Sequence, residues 1–219
     1  ASEYSAVGYY ALYVNTTGSR NVAVGTYALD AAEAVRNTAV GWQALTSDTT
    51  GQYNTGIGDA ALENNSTGNY NTACGQGALA ANTTAHNNTA VGMQALLNNT
   101  TGTLNTAVGQ NCLQANVSGG DNTGMGVGAL QANLNSYNCA YGSYSLYTNT
   151  TGTRNTAYGR TSLHLNASGS YNTALGMNAL YANTTASNNT AVGYDSLLSN
   201  TTGAANVAIG AYSLDANTT

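Results

Sequence analysis

The sequence predicts an all-β fold, a parallel β-solenoid or β-roll of thirteen coils of about seventeen residues each. Three observations carry this expectation. One short sentence, N-T-A-V-G-x-x-A-L-x-x-N-T-T-G-x-x, repeats through nearly all of the 219 residues. Its fifth position is Gly and its ninth is Leu in every copy, from Gly8 and Leu12 to Gly210 and Leu214. The chain also has no Pro and no Phe, and only 6% of it is charged, a composition far from that of an ordinary soluble domain.

With the Asn of N-T-A-V-G as position 1, coils begin at Tyr4, Asn21, Asn37, Asn54, Asn71, Asn88, Asn105, Asn122, Asn138, Asn155, Asn172, Asn189 and Asn206, the last being cut short. Residues 1–219 thus read as one repeat array. The spacing is seventeen, except after Asn21 and Asn122, where it is sixteen. The lost residue falls in the N-T-T-G half, so that half is expected to be a turn. Neither end reads as a cap, and an uncapped coil is an open sheet edge that invites end-to-end stacking.

Each element follows from its residues. Positions 2 to 4 form a short strand. Position 4 is never charged and position 2 is mostly Thr, with Val22, Cys139 and Val207 as variants, so this pair is expected to face inward. An unvarying Gly at position 5 marks a bend that needs positive φ or a close backbone approach. Position 8 holds only Ala, Ser or Cys, and Leu at position 9 refills one interior slot in every coil. Asn at position 12 and Gly at position 15 suit turn geometry, and stacked Asn side chains can hydrogen-bond from coil to coil. A helix pair does not fit, since Gly, Asn and Thr would break it, and leucine-rich repeats are longer.

Composition removes several function classes. Four Arg and no Lys leave no basic footprint, which excludes nucleic acid as a partner. No apolar run reaches the length of a membrane span, so no membrane insertion is expected. Cys74, Cys112 and Cys139 lack zinc or disulfide spacing and read as small buried residues. His86 and His164 lie in different coils at different positions, so no metal site is expected. Asp59 and Glu63 read as a solvated face. No catalytic constellation emerges, no cofactor is implied, and the chain is not expected to be an enzyme.

The variable positions 6, 7 and 10 carry many Tyr, which either cover the outer surface and pair between coils or offer contacts to a sugar or a protein. With two Tyr from neighbouring positions, Tyr137, Tyr141, Tyr144 and Tyr147 form the most suggestive patch. Position 12 opens an N-x-[ST] sequon at Asn15, Asn65, Asn82, Asn99, Asn116, Asn149, Asn166, Asn183, Asn200 and Asn217, candidate glycan acceptors on an exported chain. Thr rows at positions 13 and 14 raise a rival reading, an ice-binding solenoid, although adjacent residues of a strand face opposite ways.

At N-T-A-V-G-x-x-A-L the chain resembles the head repeats of YadA-type trimeric autotransporter adhesins and the similar arrays of phage and virus tail fibres. The resemblance implies a left-handed parallel roll in which three chains pack side by side, with Thr38 and Val40 inward, Gly41 at the turn and the small Ala39 suiting a tight interchain face. The extra N-T-T-G segment departs from the adhesin unit. The expected role is a segment of an extracellular, cell-surface or virion-surface fibre that projects or attaches. The expected partners are copies of itself, as a homotrimer or an end-to-end filament, and a host-surface glycan or protein.

Overall fold

The computed structural model describes residues 3–31 and 33–219, and every regular element among them is a short β-strand. These residues form two compact units divided after Gln110. The first contains β1 (Tyr4–Val7), β2 (Asn21–Val24), β3 (Thr38–Val40), β4 (Thr55–Ile57), β5 (Thr72–Cys74), β6 (Thr89–Val91) and β7 (Thr106–Val108). The second contains β8 (Thr123–Met125), β9 (Cys139–Tyr141), β10 (Thr156–Tyr158), β11 (Thr173–Leu175), β12 (Thr190–Val192) and β13 (Val207–Ile209). The predicted parallel β-solenoid is the fold, and each coil contributes one strand.

Within each unit, consecutive strands pair in parallel with repeat positions aligned. Thr38, Ala39 and Val40 lie opposite Thr55, Gly56 and Ile57; Thr156, Ala157 and Tyr158 lie opposite Thr173, Ala174 and Leu175. Bonding between coils continues well beyond the strands. Gln43 N–H donates back to Thr26 O at 3.0 Å, while Leu45, Ser47 and Thr49 N–H donate forward to Ala61, Glu63 and Ser66 carbonyls, each at 3.0 Å. A three-residue strand is therefore only part of what ties one coil to the next.

The expected inward face is reversed. Position 3 points into the coil: Ala39, Ala73, Ala90, Ala107 and Ala157 are fully buried. Position 4 points out, with Val24, Ile57, Val91 and Leu175 exposed. The reason is space. A Cβ built on Gly56 would sit 3.4 Å from Leu45 Cδ1 and 3.0 Å from Ala61 O, so the bore beside Leu has room for a methyl group and no more. Small residues at position 3 reflect interior packing rather than lateral contact between chains. Coil seven illustrates the limit: its position 8 is the larger Cys112, and the facing position 3 is Gly124, whose added Cβ would collide with Cys112 Sγ.

From Leu12 to Leu197 the Leu row is interior as expected, while Leu214 in the last coil is exposed, and the row adopts a conformation the sequence did not suggest. Every position-9 Leu has positive φ, from 48° at Leu146 to 54° at Leu62 and Leu180. A left-handed non-Gly residue costs about 1–2 kcal/mol, whereas fully burying a Leu side chain contributes about 1.5–3 kcal/mol. Burial wins, helped by the N–H bond to the next coil, and this is why Asn or Gly does not occupy the site. Both reasons for Gly at position 5 also hold. Its φ lies between 121° and 138°, and a Cβ on Gly75 would stand 2.6 Å from the Gly92 carbonyl.

Candidate functional site

The interior has a polar half as well as an apolar one. Asn at position 1 and Asn at position 12 form two columns, both buried. In the first, each side-chain oxygen accepts the backbone N–H of the next coil's Asn, as Asn37 Oδ1 does from Asn54 at 2.7 Å and Asn54 Oδ1 from Asn71 at 2.9 Å. In the second, amide bonds amide: Asn82 Nδ2 donates to Asn65 Oδ1 at 2.8 Å, and Asn166 Nδ2 to Asn149 Oδ1 at 2.9 Å. Both columns converge on the position-15 carbonyl, where Gly68 O accepts Asn54 Nδ2 at 2.7 Å and Asn65 Nδ2 at 3.1 Å.

This geometry removes the row of glycan acceptors. Asn65, Asn82, Asn99, Asn116, Asn149, Asn166, Asn183 and Asn200 have no accessible surface. Asn15 and Asn217, in the two terminal coils, are half-buried and keep the same inward bonds, to Gly18 O at 3.1 Å and Asn200 Oδ1 at 3.0 Å. The nitrogen that would carry a sugar is already a donor inside the coil, with no room for a substituent. An Asx turn and a sequon share the same local sequence, and only the facing direction separates them.

Coil three has Asp48 in place of the position-12 Asn. Its Oδ1 accepts Gly51 N–H at 2.8 Å and its Oδ2 accepts Asn37 Nδ2 at 2.8 Å, with no cation beside it among the described residues. Burial pushes its carboxyl up to about 7, against the opposing pull of these hydrogen bonds.

The outward positions carry the variety. The four Tyr grouped in the sequence separate onto four rows. Tyr137 belongs with Arg154 and Tyr171, the guanidinium lying 5.2 and 5.5 Å from the two ring centroids. Tyr141 stands on the outer face of the sheet with Tyr158, centroids 5.6 Å apart. There the charge of Cys139, then burial, raises the Tyr141 phenol, while burial raises the Cys139 thiol. Only Tyr144 and Tyr147 meet, edge to face at 5.6 Å. The expectation of three buried cysteines holds for Cys112 alone, because Cys74 is exposed and Cys139 half-buried; positions 2 and 4 are outward sites.

Tyr147 begins a stack that coil spacing, rather than sequence proximity, assembles. It lies over His164 at 5.3 Å, and His164 over Tyr181 at 5.2 Å, with ring planes within 7° and 5° of parallel. His164 Nδ1 is 2.9 Å from the Tyr144 carbonyl, so Nδ1 carries the proton when the ring is neutral. Residues of one row recur at intervals of seventeen, and that interval was the signal available in the sequence. The next residue in the row is Leu198, which lines a surface depression of about 330 Å³ together with Tyr181, Arg160, Thr161 and Asn178. Along it, Thr161 Oγ1 lies 2.6 Å from both Asn178 Oδ1 and the Arg160 carbonyl oxygen, and Asn178 Nδ2 donates to Asp195 Oδ1 at 2.9 Å.

No group of three or more His, Cys, Asp or Glu able to hold a metal occurs among the described residues, and no helix among them is long and apolar enough to cross a membrane. No family model and no curated protein matches the chain.

Proposed function

We propose that this chain is a structural segment of an extracellular or virion-surface fibre, one that projects a surface and takes part in attachment. The observation that supports the reading is the division of labour within each coil. Positions 1, 3, 8, 9 and 12 repeat nearly the same inward residues, while the outward rows carry Tyr, His, Arg, Met and Leu in different combinations from coil to coil. A scaffold held by repeated inward bonds is stiff, and specificity then resides in the side chains it displays.

Self-association in this reading uses the outer face of the sheet. Val24, Ile57 and Val91 are exposed at position 4 of strands in the first unit, and Met125, Leu175 and Ile209 at the same position in the second. Regular apolar rows of this kind are what lateral packing between copies would bury. Light scattering after size exclusion tests it: a constant mass of three chains is expected. A single-chain mass overturns lateral assembly, and a mass that climbs with concentration replaces it with an end-to-end filament.

The ice-binding alternative is the weaker reading. Position-13 hydroxyls are turned to the backbone, as when Thr49 Oγ1 donates to Ser66 O at 2.8 Å and Thr83 Oγ1 to Thr100 O at 3.1 Å, rather than free to order water. Thermal hysteresis in a freezing assay would restore it.

A further inference from the structure

The depression at the end of the Tyr147–His164–Tyr181 stack has features the structural role does not use. Of the four arginines, Arg20 pairs with Glu3 at 3.1 Å, Arg36 lies over Tyr53 at 5.1 Å, and Arg154 lies between Tyr137 and Tyr171. The Arg160 guanidinium is exposed and has no hydrogen-bonded, ionic or aromatic partner among the described residues. The stack itself stops one ring short, with Leu198 where a fourth ring would continue it. Between Arg160 and this row, the floor keeps unused polar capacity. Asn178 has a second amide hydrogen beyond the one given to Asp195.

We propose that this depression binds a carboxylated sugar: the pyranose ring packs beside Tyr181 and Leu198, its carboxylate pairs with Arg160, and a hydroxyl meets Asn178. Each part of the ligand answers one feature of the site. An otherwise uncommitted guanidinium on a chain of net charge −5 selects an anion locally and offers a carboxylate two parallel N–H donors. A ring with an apolar face covers the aromatic and aliphatic side. The polar floor satisfies hydroxyls that an aromatic acid would lack. A volume of about 330 Å³ is at the small end for ligand sites, suiting one ring rather than an extended chain. An acidic peptide would supply the charge but not a ring carrying hydroxyls, and it is therefore an outcome of the test.

The proposal rests on the attachment reading above and is tested separately from assembly. The isotopically labelled chain is titrated with glucuronate, N-acetylneuraminate, glucose and a glutamate-containing tripeptide. Chemical shifts of Asn178 and Tyr181 and of the His164 ring report binding. One or both acidic sugars are expected to bind in preference to glucose. Arg160→Gln is expected to weaken that binding roughly ten- to hundredfold, the range of one charge-assisted contact, and Tyr181→Ala to weaken it by a similar factor. Arg154→Gln, on another row, is expected to leave it unchanged. All three positions are on the surface, and an unchanged circular dichroism spectrum confirms folding.

Four results overturn the proposal: no shifts at these residues, equal binding of glucose, equal binding of the tripeptide, or an equal loss in Arg154→Gln. None of them alters the mass that tests the fibre reading, so the two readings fail independently.

Discussion

The two asparagine columns occupy the same polar half of the coil, meet the same carbonyl, and differ in what they hold. Position 1 accepts a backbone N–H from the following coil, so its oxygen stands between the main chain and an unpaired buried donor. Position 12 accepts a side-chain amide that already has a second acceptor: Asn82 Nδ2 bonds Asn65 Oδ1 and also Ala85 O at 3.2 Å. Loss of the first orphans the backbone, whereas loss of the second weakens a shared bond. The sequence follows that ranking. From Asn21 to Asn206 position 1 is always Asn, while position 12 admits Asp48.

The most damaging test of this ranking is Asn71→Ala. It removes the acceptor of Asn88 N–H at 3.0 Å and a donor to Ala85 O at 2.8 Å, and leaves a cavity. Together these are expected to cost roughly 2–5 kcal/mol, read as a fall in the denaturation midpoint at unchanged slope.

Asp48→Asn is expected to act in the opposite direction. The folded carboxyl titrates near 7 against an ordinary 3.8, so the folded state holds a proton that the unfolded state has released. Stability therefore falls as pH rises from about 4 to 7 and is level above that range. The variant should gain a few kcal/mol at pH 8, since each tenfold difference in proton affinity between the folded and unfolded carboxyl is worth about 1.4 kcal/mol. It should also lose the pH slope. Thermal melts at pH 4, 6 and 8 check it, and parallel slopes for the two proteins would show that Asp48 is not the group responsible.

Asn82→Ala is expected to cost less than Asn71→Ala, about 1–3 kcal/mol: it leaves a cavity and takes the donor from Asn65 Oδ1, but it orphans no backbone N–H, and Asn99 Nδ2 keeps Gly102 O at 2.9 Å. Equal losses in the two variants would erase the distinction between the columns. Arg154→Gln, outside both columns, should change stability by less than about 1 kcal/mol, and supplies the baseline for the series.

The repeat made much of this fold legible. Gly at position 5 and Leu at position 9 could be assigned to a bend and to the interior because no copy departs from them, and stacked Asn bonding followed from identity alone. The inward face of the strand is not legible in the same way, because alternation identifies two faces without saying which is buried. Thr38 and Val40 are larger than Ala39, and size usually points inward. Here Leu45 fills the bore first, and only a methyl fits beside it. The same blindness left two readings open for Asn65 and its equivalents, an inward turn residue or an outward glycan acceptor. The Tyr group failed for another reason. Closeness along the chain put Tyr137, Tyr141, Tyr144 and Tyr147 together, whereas neighbours on a solenoid are residues one coil apart, as Tyr147, His164 and Tyr181 are.

The two shortened coils give the position-1 column a further meaning. Asn37 N–H reaches Asn21 Oδ1, and Asn138 N–H reaches Asn122 Oδ1, each at 2.9 Å across sixteen residues, the same bond that elsewhere spans seventeen. The missing residue lies between positions 12 and 15, and pairing is restored by the next Asn: Val22 still meets Thr38, and Thr123 still meets Cys139. The column thus acts as a reading frame for the backbone, closing each coil at a fixed mark whatever length precedes it. The fold therefore accepts a coil one residue shorter in that segment without losing register, as the coils closed by Asn37 and Asn138 show. Coil length becomes an adjustable trait, separate from the residues that any one coil displays.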